Sequence, residues 1–332
     1  MEYVNVGRSG LRVSRLAMGT MSFGGDADES ESRAMFRLAR NAGINFFDTA
    51  DVYSKGASET ILGRLIADQR DELVIATKAY FPMGQGPNDR GSSRFHLVRA
   101  VEASLRRLGT DRIDVFYLHR FDDDTALDET LRAIDDLVAS GKILYPAVSN
   151  FSAWQTAKAL GVQARHGWAP FVAIQPMYNL VKRQAEVELL PMSHSEGLGV
   201  FPYSPLAGGL LTGKYADGGA SGRIRDVPMY ATRYGEPALH DIAQRFAELA
   251  RDVGHDPVSV AIAWVESHPA VTAPLLGARH VDQLKPALAA LDVPMDAELR
   301  ARITALSPTP PPATDRNEEG TGADYASRLT AR

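Results

Sequence analysis

The chain has 332 residues, of which 45% are hydrophobic and 23% are charged. These values exclude a disordered, collagen-like or coiled-coil chain, and the length suits an α/β barrel that folds as one unit. The formal net charge of −5 leaves no basic excess of the kind that binds a nucleic acid backbone.

The absence of cysteine excludes disulfides, thiolate nucleophiles and cysteine-based zinc sites. No basic segment followed by an apolar stretch opens the sequence, and no run of about 18 apolar residues occurs in it. The histidines show no spacing typical of a metal site. We therefore expect a cytoplasmic protein with no metal ion and no nucleic acid or membrane partner.

The first predicted element is a hairpin over residues 3–14, where Gly7-Arg8-Ser9-Gly10 separates two apolar pieces. We expect this hairpin to plug one end of the fold. Eight short apolar segments follow, and their continuity is typical of parallel strands that are buried on both faces. They span residues 15–19, 44–48, 73–78, 113–119, 143–150, 171–175, 198–203 and 271–276.

Segments with a single apolar stripe at helical spacing separate these strands, for example around Val98, Val101 and Leu105. Most strand starts lie about 27 to 30 residues apart, the length of one strand–helix unit. Eight such units predict a single-domain (β/α)8 TIM barrel over residues 1–306. Residues 307–332 are rich in proline and poor in apolar side chains, so we expect a tail that is flexible or lies over a site.

Nearly every predicted strand ends in a polar residue. The catalytic groups of such a barrel collect at the carboxyl ends of the strands. A single polar residue at a strand end is commonly structural, but several titratable groups around one rim would each need a partner if buried. The residues concerned are Asp48, Lys78, His119, Ser149 with Asn150, Gln175 and Tyr203.

Tyr53 follows the second of these strands and is a candidate proton donor. A tyrosine hydroxyl titrates near pH 10 in water, so we expect the Lys78 ammonium to make it more acidic. Asp48 would hold that ammonium in place, and His119 would hydrogen-bond a substrate carbonyl oxygen. Such a set of groups stabilises a developing oxyanion, which is what carbonyl reduction requires.

At these residues the chain resembles the aldo-keto reductase family, and the resemblance extends over roughly residues 3–291. It rests on motifs that occur in order on the predicted strands: Asp48-Thr49-Ala50-x-x-Tyr53, Thr77-Lys78, Leu118-His119, Ser149-Asn150-Phe151, Gln175-Pro176-x-Tyr178-Asn179, Tyr203-Ser204-Pro205-Leu206 and Gly277-Ala278-Arg279-x-x-x-Gln283-Leu284.

The resemblance implies a catalytic tetrad of Asp48, Tyr53, Lys78 and His119, with Tyr53 as the general acid. It also implies NADPH or NADP+ bound without a Rossmann fold, and no G-x-G-x-x-G follows a predicted strand. Ser149, Asn150 and Gln175 would hold the nicotinamide carboxamide, and Tyr203 would stack on the ring. The full set of expected cofactor contacts is Gly19, Thr20, Met21, Asp48, Ser149, Asn150, Gln175, Tyr203, Ser204, Pro205, Leu206, Gly208, Lys214, Gly277, Arg279 and Gln283.

Arg279 precedes the last predicted barrel helix, where a cation and free helix amides would meet a 2′-phosphate. We therefore expect NADPH in preference to NADH. Many relatives contact adenine through an acidic residue and an asparagine, whereas this chain has Pro286 and Ala287 in those places. Adenine contacts would then be weaker, or be made by Gln283 and the backbone.

Two functions are compatible with this pattern. The first is reduction of an aldehyde, ketone or keto-sugar. The second is a nucleotide-sensing regulatory module, because the potassium-channel β subunits resemble the same family and share the Arg90-Gly91-Ser92-Ser93-Arg94 neighbourhood. The position that matches His119 is typically not histidine in those subunits, so the complete tetrad favours the enzyme. Aromatic and Met residues of the rim loops either wall a substrate pocket or pack the loops: Met21, Phe23, Phe81, Met83, Phe121, Tyr215 and Tyr230.

Overall fold

A computed structural model describes residues 1–215 and 222–316. The strands are β1 (Tyr3–Asn5), β2 (Arg12–Ser14), β3 (Ala17–Gly19), β4 (Phe46–Asp48), β5 (Val74–Ala79), β6 (Ile113–Leu118), β7 (Ile143–Ser149), β8 (Ala173–Gln175), β9 (Gly199–Val200) and β10 (Leu275–Leu276). The α-helices are α1 (Glu29–Asn41), α2 (Ala57–Ile66), α3 (Arg94–Leu108), α4 (Leu127–Ala139), α5 (Ala153–His166), α6 (Leu189–Glu196), α7 (Arg223–Asp226), α8 (Pro228–Tyr234), α9 (Pro237–Asp252), α10 (Pro257–Glu266), α11 (Val281–Leu288) and α12 (Ala297–Thr304).

Strands β3 to β10 form one parallel sheet in the order β10-β3-β4-β5-β6-β7-β8-β9. Beyond β9 the sheet closes on itself, because the backbone amides of Thr272 and Leu275 donate to the carbonyls of Val200 and Pro202, each at 2.9 Å. Every residue of β5 and β6 is buried, as continuous apolar runs require in a barrel with helices outside it. The predicted (β/α)8 barrel is confirmed.

Each predicted strand overlaps one barrel strand, although several observed strands are shorter. The segment predicted over residues 271–276 forms a strand only at Leu275–Leu276, because β10 pairs with β3 over just two residues. The helices start where capping residues favour them. Ser152 and Gln155 form a capping box at α5, and the Ser93 hydroxyl accepts from the His96 amide at the start of α3.

The predicted N-terminal hairpin is β1 paired antiparallel with β2. It plugs the amino end of the barrel, where Val6 and Val13 are fully buried in the same apolar cluster as Val115 and Phe201. Gly7 has φ +54°, and the nearby Gly197 carbonyl leaves no space for a side chain there. Because the hairpin covers this end, the carboxyl end of the barrel is the open one.

The first residues after α12 pack against a buried ion pair. Arg183 is paired with Glu186 at 2.7 Å and also donates to the carbonyl of Ser307 at 3.2 Å. The flexible tail predicted for residues 307–332 lies mostly outside the described residues, which end at 316, and the division at residue 306 stays a prediction. No helix of the described residues has the length and apolar character needed to cross a membrane.

Candidate active site

The carboxyl ends of neighbouring strands bring the predicted polar residues to one rim. Asp48 ends β4 and is paired in register with Gly19 of β3. Ser149 ends β7 opposite Gln175, which ends β8. Lys78 occupies the penultimate position of β5, and His119 follows the last residue of β6. Parallel pairing therefore assembles residues that lie far apart in the sequence.

A cavity of about 590 Å³ opens at this rim, within the size range of small-molecule and cofactor sites. Three members of the expected tetrad line it: Asp48, Tyr53 and His119. The fourth, Lys78, lies beneath the cavity floor and is fully buried. The expected cofactor residues on its wall are Gly19, Met21, Asp48, Ser149, Asn150, Gln175, Tyr203, Ser204, Pro205, Leu206, Gly208, Lys214, Gly277, Arg279 and Gln283.

Thr20 is the one expected cofactor residue that does not line the cavity. Its side chain is fully buried, and its hydroxyl lies 3.0 Å from the Asp48 carbonyl oxygen and 2.9 Å from the Ser58 hydroxyl. A side chain held in this way supports the end of β4 from behind. The expected cofactor contact of Thr20 stays a prediction.

A buried ion pair forms the base of the site. The Lys78 ammonium donates to Asp48 Oδ1 and, at 2.7 Å, to the Thr49 carbonyl. Gln175 Nε2 donates to the other Asp48 oxygen at 2.9 Å. Burial disfavours the ammonium, but Asp48 and Tyr53 together outweigh it and raise the pKa of Lys78. Lys78 is therefore a permanent cation at neutral pH.

Tyr53 stands beside this cation, and Lys78 Nζ lies 5.1 Å from the centroid of its ring. Burial raises the pKa of Tyr53, and the opposing effect of Lys78 offsets it only in part. The pKa of Tyr53 is thus raised, whereas the sequence led us to expect that Lys78 would lower it. The sequence does not show how deeply Tyr53 is buried. The phenol is thus held in its protonated form, as a proton donor requires.

His119 faces Tyr53 across the same end of the cavity. Its ring packs edge-on against Tyr53, with centroids 6.1 Å apart, and against Phe81 at 4.9 Å. Burial, assisted by the Lys78 charge, holds the pKa of His119 well below its usual value. His119 is therefore a neutral imidazole that can donate one hydrogen bond without adding charge. Its Nδ1 has no hydrogen-bond partner within the described ranges.

A chain of hydrogen bonds connects His119 to the wall of the cavity. Asn150 Nδ2 donates to the His119 carbonyl at 2.9 Å, and the Tyr203 hydroxyl donates to Asn150 Oδ1 at 2.8 Å. Burial raises the pKa of Tyr203 to about 12, so this second phenol is also neutral. These hydrogen bonds hold the Asn150 amide and the Tyr203 hydroxyl at the cavity wall, where the family resemblance implies amide and ring contacts for these two residues.

The far end of the cavity adjoins the start of α11. The Arg279 amide donates to Gln283 Oε1 at 3.0 Å, while the Arg279 guanidinium is half-buried with no carboxylate partner among the residues described. Val258, Ile262 and Pro286 with Ala287 give this end an apolar wall. The residue pair that departs from the family pattern, Pro286 with Ala287, thus presents apolar side chains to the cavity. An unpaired cation beside apolar surface fits a nucleotide phosphate next to a base.

Most cavity residues that follow residue 221 were not expected from the sequence, because few of them lie at the carboxyl end of a predicted strand. The sequence left open whether the aromatic and Met residues of the rim loops wall a pocket or pack the loops. Of these residues, Met21, Phe81 and Tyr230 line the cavity. Phe23 is buried in the core, and Met83, Phe121 and Tyr215 do not line the cavity. The cavity residues that were not among the expected site residues are Ser22, Val52, Gly209, Thr212, Arg223, Met229, Arg233, Val258, Ile262, Leu275, Leu276, Ala278, Asp282, Pro286 and Ala287.

Asp51, two residues before Tyr53, is a carboxyl group without a partner. Its side chain is 1% exposed, and neither oxygen has a hydrogen-bond partner in the part of the chain that is described. Burial and the nearby Glu59 raise the pKa of Asp51 to about 7. In the unfolded chain an aspartate carboxyl group titrates near pH 4. Between about pH 4 and pH 7, Asp51 is therefore protonated in the folded protein and ionised in the unfolded chain.

We therefore expect Asp51 to reduce the stability of the protein as the pH rises through this window. The variant Asp51→Asn keeps the shape without the charge, and we expect its advantage in unfolding free energy over the wild type to grow by about 2–3 kcal/mol between pH 5 and pH 8. Denaturant unfolding of both proteins at several pH values measures this difference. A difference that does not change with pH would contradict the assignment.

Comparisons with known proteins agree with this geometry. Residues 15–308 match the sequence model of the aldo/keto reductase family. The "Uncharacterized oxidoreductase YrpG" of Bacillus subtilis (strain 168) is 39% identical over 93% of this chain and 97% of that protein. A "Probable voltage-gated potassium channel subunit beta" of Oryza sativa subsp. japonica is 37% identical over 95% of this chain and 99% of its own length. The "L-glyceraldehyde 3-phosphate reductase" of Escherichia coli O157:H7 is 36% identical over 88% of each chain.

Proposed function

Because the chain belongs to the aldo/keto reductase family, we propose that it is an NADPH-dependent oxidoreductase that reduces the carbonyl of an aldehyde, ketone or keto-sugar to the alcohol. The observation that carries the proposal is the buried Lys78–Asp48 pair beside the protonated Tyr53, with a neutral His119 on the same cavity. The relative named as a reductase of a phosphorylated aldehyde supports the same reaction class.

Tyr53 donates a proton to the substrate oxygen as negative charge develops on it. Proton transfer leaves Tyr53 as a phenolate, and the adjacent Lys78 ammonium stabilises that negative charge. Before the transfer, burial has the larger effect on the pKa of Tyr53 and keeps the phenol protonated. Asp48 keeps the ammonium in position through a direct hydrogen bond. Lys78 and Asp48 thus act through Tyr53.

His119 holds the carbonyl oxygen through one imidazole N–H and orients it toward Tyr53. It does so as a neutral donor, because burial and the nearby Lys78 charge disfavour the imidazolium. Phe81 packs against the His119 ring and limits the access of water to this end of the cavity.

The proposed NADPH contacts follow the cavity from one end to the other. Ser149, Asn150 and Gln175 hold the nicotinamide amide, Tyr203 supports the ring, and Arg279 binds the 2′-phosphate. The chemistry supplied by bound NADPH is hydride donation to the carbonyl carbon. We also propose a cytoplasmic location, in keeping with a chain that contains no cysteine.

Consumption of NADPH with a panel of reactive aldehydes and ketones tests the proposal. The second candidate, a nucleotide-sensing module, rests on the 37% identity to a protein named as a potassium-channel β subunit. Binding of NADPH without turnover of any carbonyl would support that module and contradict the reductase. The complete tetrad favours the reductase.

The Arg279 assignment makes a separate prediction. Arg279→Gln removes a charged partner of the 2′-phosphate, so we expect KM for NADPH to rise by about 10- to 100-fold while KM for NADH changes little. Lys285→Gln is the matched control, since that cation lies on the following helix and is already paired with Asp282 at 2.7 Å. Equal effects of Arg279→Gln on both cofactors would contradict 2′-phosphate recognition.

A further inference from the structure

The charged residues that line the cavity are unbalanced. Within the described ranges, two acidic side chains line it, and both are already paired, Asp48 with Lys78 and Asp282 with Lys285. The basic side chains on its wall are Lys214, Arg223, Arg233 and Arg279. The acidic side chains of the wall therefore cannot neutralise these four cations, and the cavity favours anionic ligands.

Three of these four cations already have an explanation. Arg223 forms an ion pair with Asp26, with atoms 3.4 Å apart. The Lys214 ammonium is exposed and lies 4.8 Å from the centroid of the Tyr215 ring. Arg279 is assigned to the cofactor by the function proposed above. Arg233 is the cation that remains.

Arg233 is half-buried near the end of α8. It makes no hydrogen bond or ion pair with any residue that the structure describes, and its guanidinium lies 5.8 Å from the centroid of the Tyr230 ring. A half-buried guanidinium has lost part of its hydration, and a carboxylate or phosphate that accepts two of its hydrogen bonds compensates this loss most fully. The aromatic ring compensates only a part of this loss.

Arg233 lines the same cavity as Tyr53, His119 and Tyr203. Its charge acts on the Tyr203 hydroxyl, where it opposes the burial that raises the pKa of Tyr203 to about 12. Tyr203 is joined through Asn150 to the backbone of His119, as described above. Tyr230, whose ring lies beside the Arg233 guanidinium, lines this cavity as well. Arg279 instead adjoins the start of α11, near the apolar wall.

We propose that Arg233 binds a negatively charged group, a carboxylate or a phosphate, on the carbonyl substrate. This inference rests on the proposed carbonyl reductase function and names its substrate class. The substrates would be aldehydes or ketones in which a short or apolar linking portion separates the carbonyl from an anionic group. Apolar side chains on the same cavity, among them Phe81, Met21 and Met229, provide the surface for that linking portion. A phosphate of the cofactor offers the same chemistry, and the experiment below separates the two sources.

The test compares two substrates that differ in charge, 4-formylbenzoate and its methyl ester, with NADPH as the reductant. The quantity measured is the ratio of kcat/KM for the carboxylate to kcat/KM for the ester, in wild type and in Arg233→Gln. Because the comparison is between proteins, the different intrinsic reactivities of the two aldehydes cancel. We expect this ratio to fall by about 10- to 100-fold in Arg233→Gln, because kcat/KM falls for the carboxylate and stays the same for the ester. A parallel pair, 4-formylphenyl phosphate and 4-methoxybenzaldehyde, distinguishes a phosphate-binding from a carboxylate-binding site.

Two further variants and one binding measurement complete the design. Arg223→Gln removes the other guanidinium near the Tyr230 ring, 5.7 Å from its centroid, but that guanidinium is already paired, so we expect the ratio to stay near the wild-type value. Arg233→Lys keeps the charge and should recover part of the ratio. The Kd of NADPH, measured by fluorescence titration, should be unchanged in Arg233→Gln.

Each remaining outcome identifies what has failed. Equal losses with both substrates, together with weaker NADPH binding, would assign Arg233 to a cofactor phosphate and overturn the inference. An unchanged ratio in a folded Arg233→Gln protein would overturn it while leaving the carbonyl reductase function intact. Wild-type protein that binds NADPH and reduces neither the charged nor the neutral aldehydes would contradict the proposed function itself.

Discussion

Tyr53→Phe is expected to lower kcat for carbonyl reduction by about 100- to 10,000-fold, because the proton for the substrate oxygen then has no donor. The ring stays, so its packing against His119 and its contact with the Lys78 ammonium are retained. The proposed NADPH contacts do not involve the phenol, and we expect the Kd of NADPH to change little. Steady-state kinetics with a neutral aldehyde and a fluorescence titration of NADPH measure the two quantities.

Tyr80→Phe is the matched control for this experiment. Tyr80 is buried close to the site, with its ring centroid 5.4 Å from that of Phe81, but it does not line the cavity. The same loss of one hydroxyl should therefore leave kcat nearly unchanged. A Tyr53→Phe protein that retains wild-type kcat would show that the proton comes from another group.

Lys78→Met should remove both activity and much of the stability. The methionine has a similar shape, but Asp48 would be left as a buried carboxyl group without its cation, and breaking a buried pair in this way costs about 3–5 kcal/mol of unfolding free energy. Activity falls because the phenolate that Tyr53 must form would have no neighbouring positive charge. Denaturant unfolding and steady-state kinetics on the same preparation measure the two effects.

The double variant Asp48→Asn with Lys78→Met separates these two effects. Removal of both charges eliminates the uncompensated carboxyl group, so we expect most of the lost stability to return. Activity should not return, because the cation beside Tyr53 is still missing. If the double variant were as unstable as Lys78→Met, the instability would come from lost packing and not from an unpaired charge. If it recovered activity, Lys78 would have no part in proton transfer.

The proposed catalytic residues could be located from the sequence because each follows or ends a strand whose apolar pattern is unambiguous. Asp48, Lys78 and His119 lie at the ends of such strands, and parallel strands bring their ends to one rim whatever the details of the loops. The hairpin was likewise marked by its turn residues. A position next to a strand end does not tell which way a side chain points, and only the structure shows that the Thr20 hydroxyl lies against Asp48 and Ser58.

The sequence by itself determined the strand order, the barrel and the identity of the polar residues at its open end, because apolar periodicity and chain connectivity are local properties. Only the tertiary structure decided the electrostatics. At Tyr53 the effect of burial on the pKa outweighs that of the neighbouring Lys78. Among the described residues, the Asp51 carboxyl group has no hydrogen-bond partner, and Arg233 lies on the cavity wall with no counter-ion. These properties depend on which groups surround a side chain once the chain has folded, and residues that approach one another from distant segments leave no periodic signal along it.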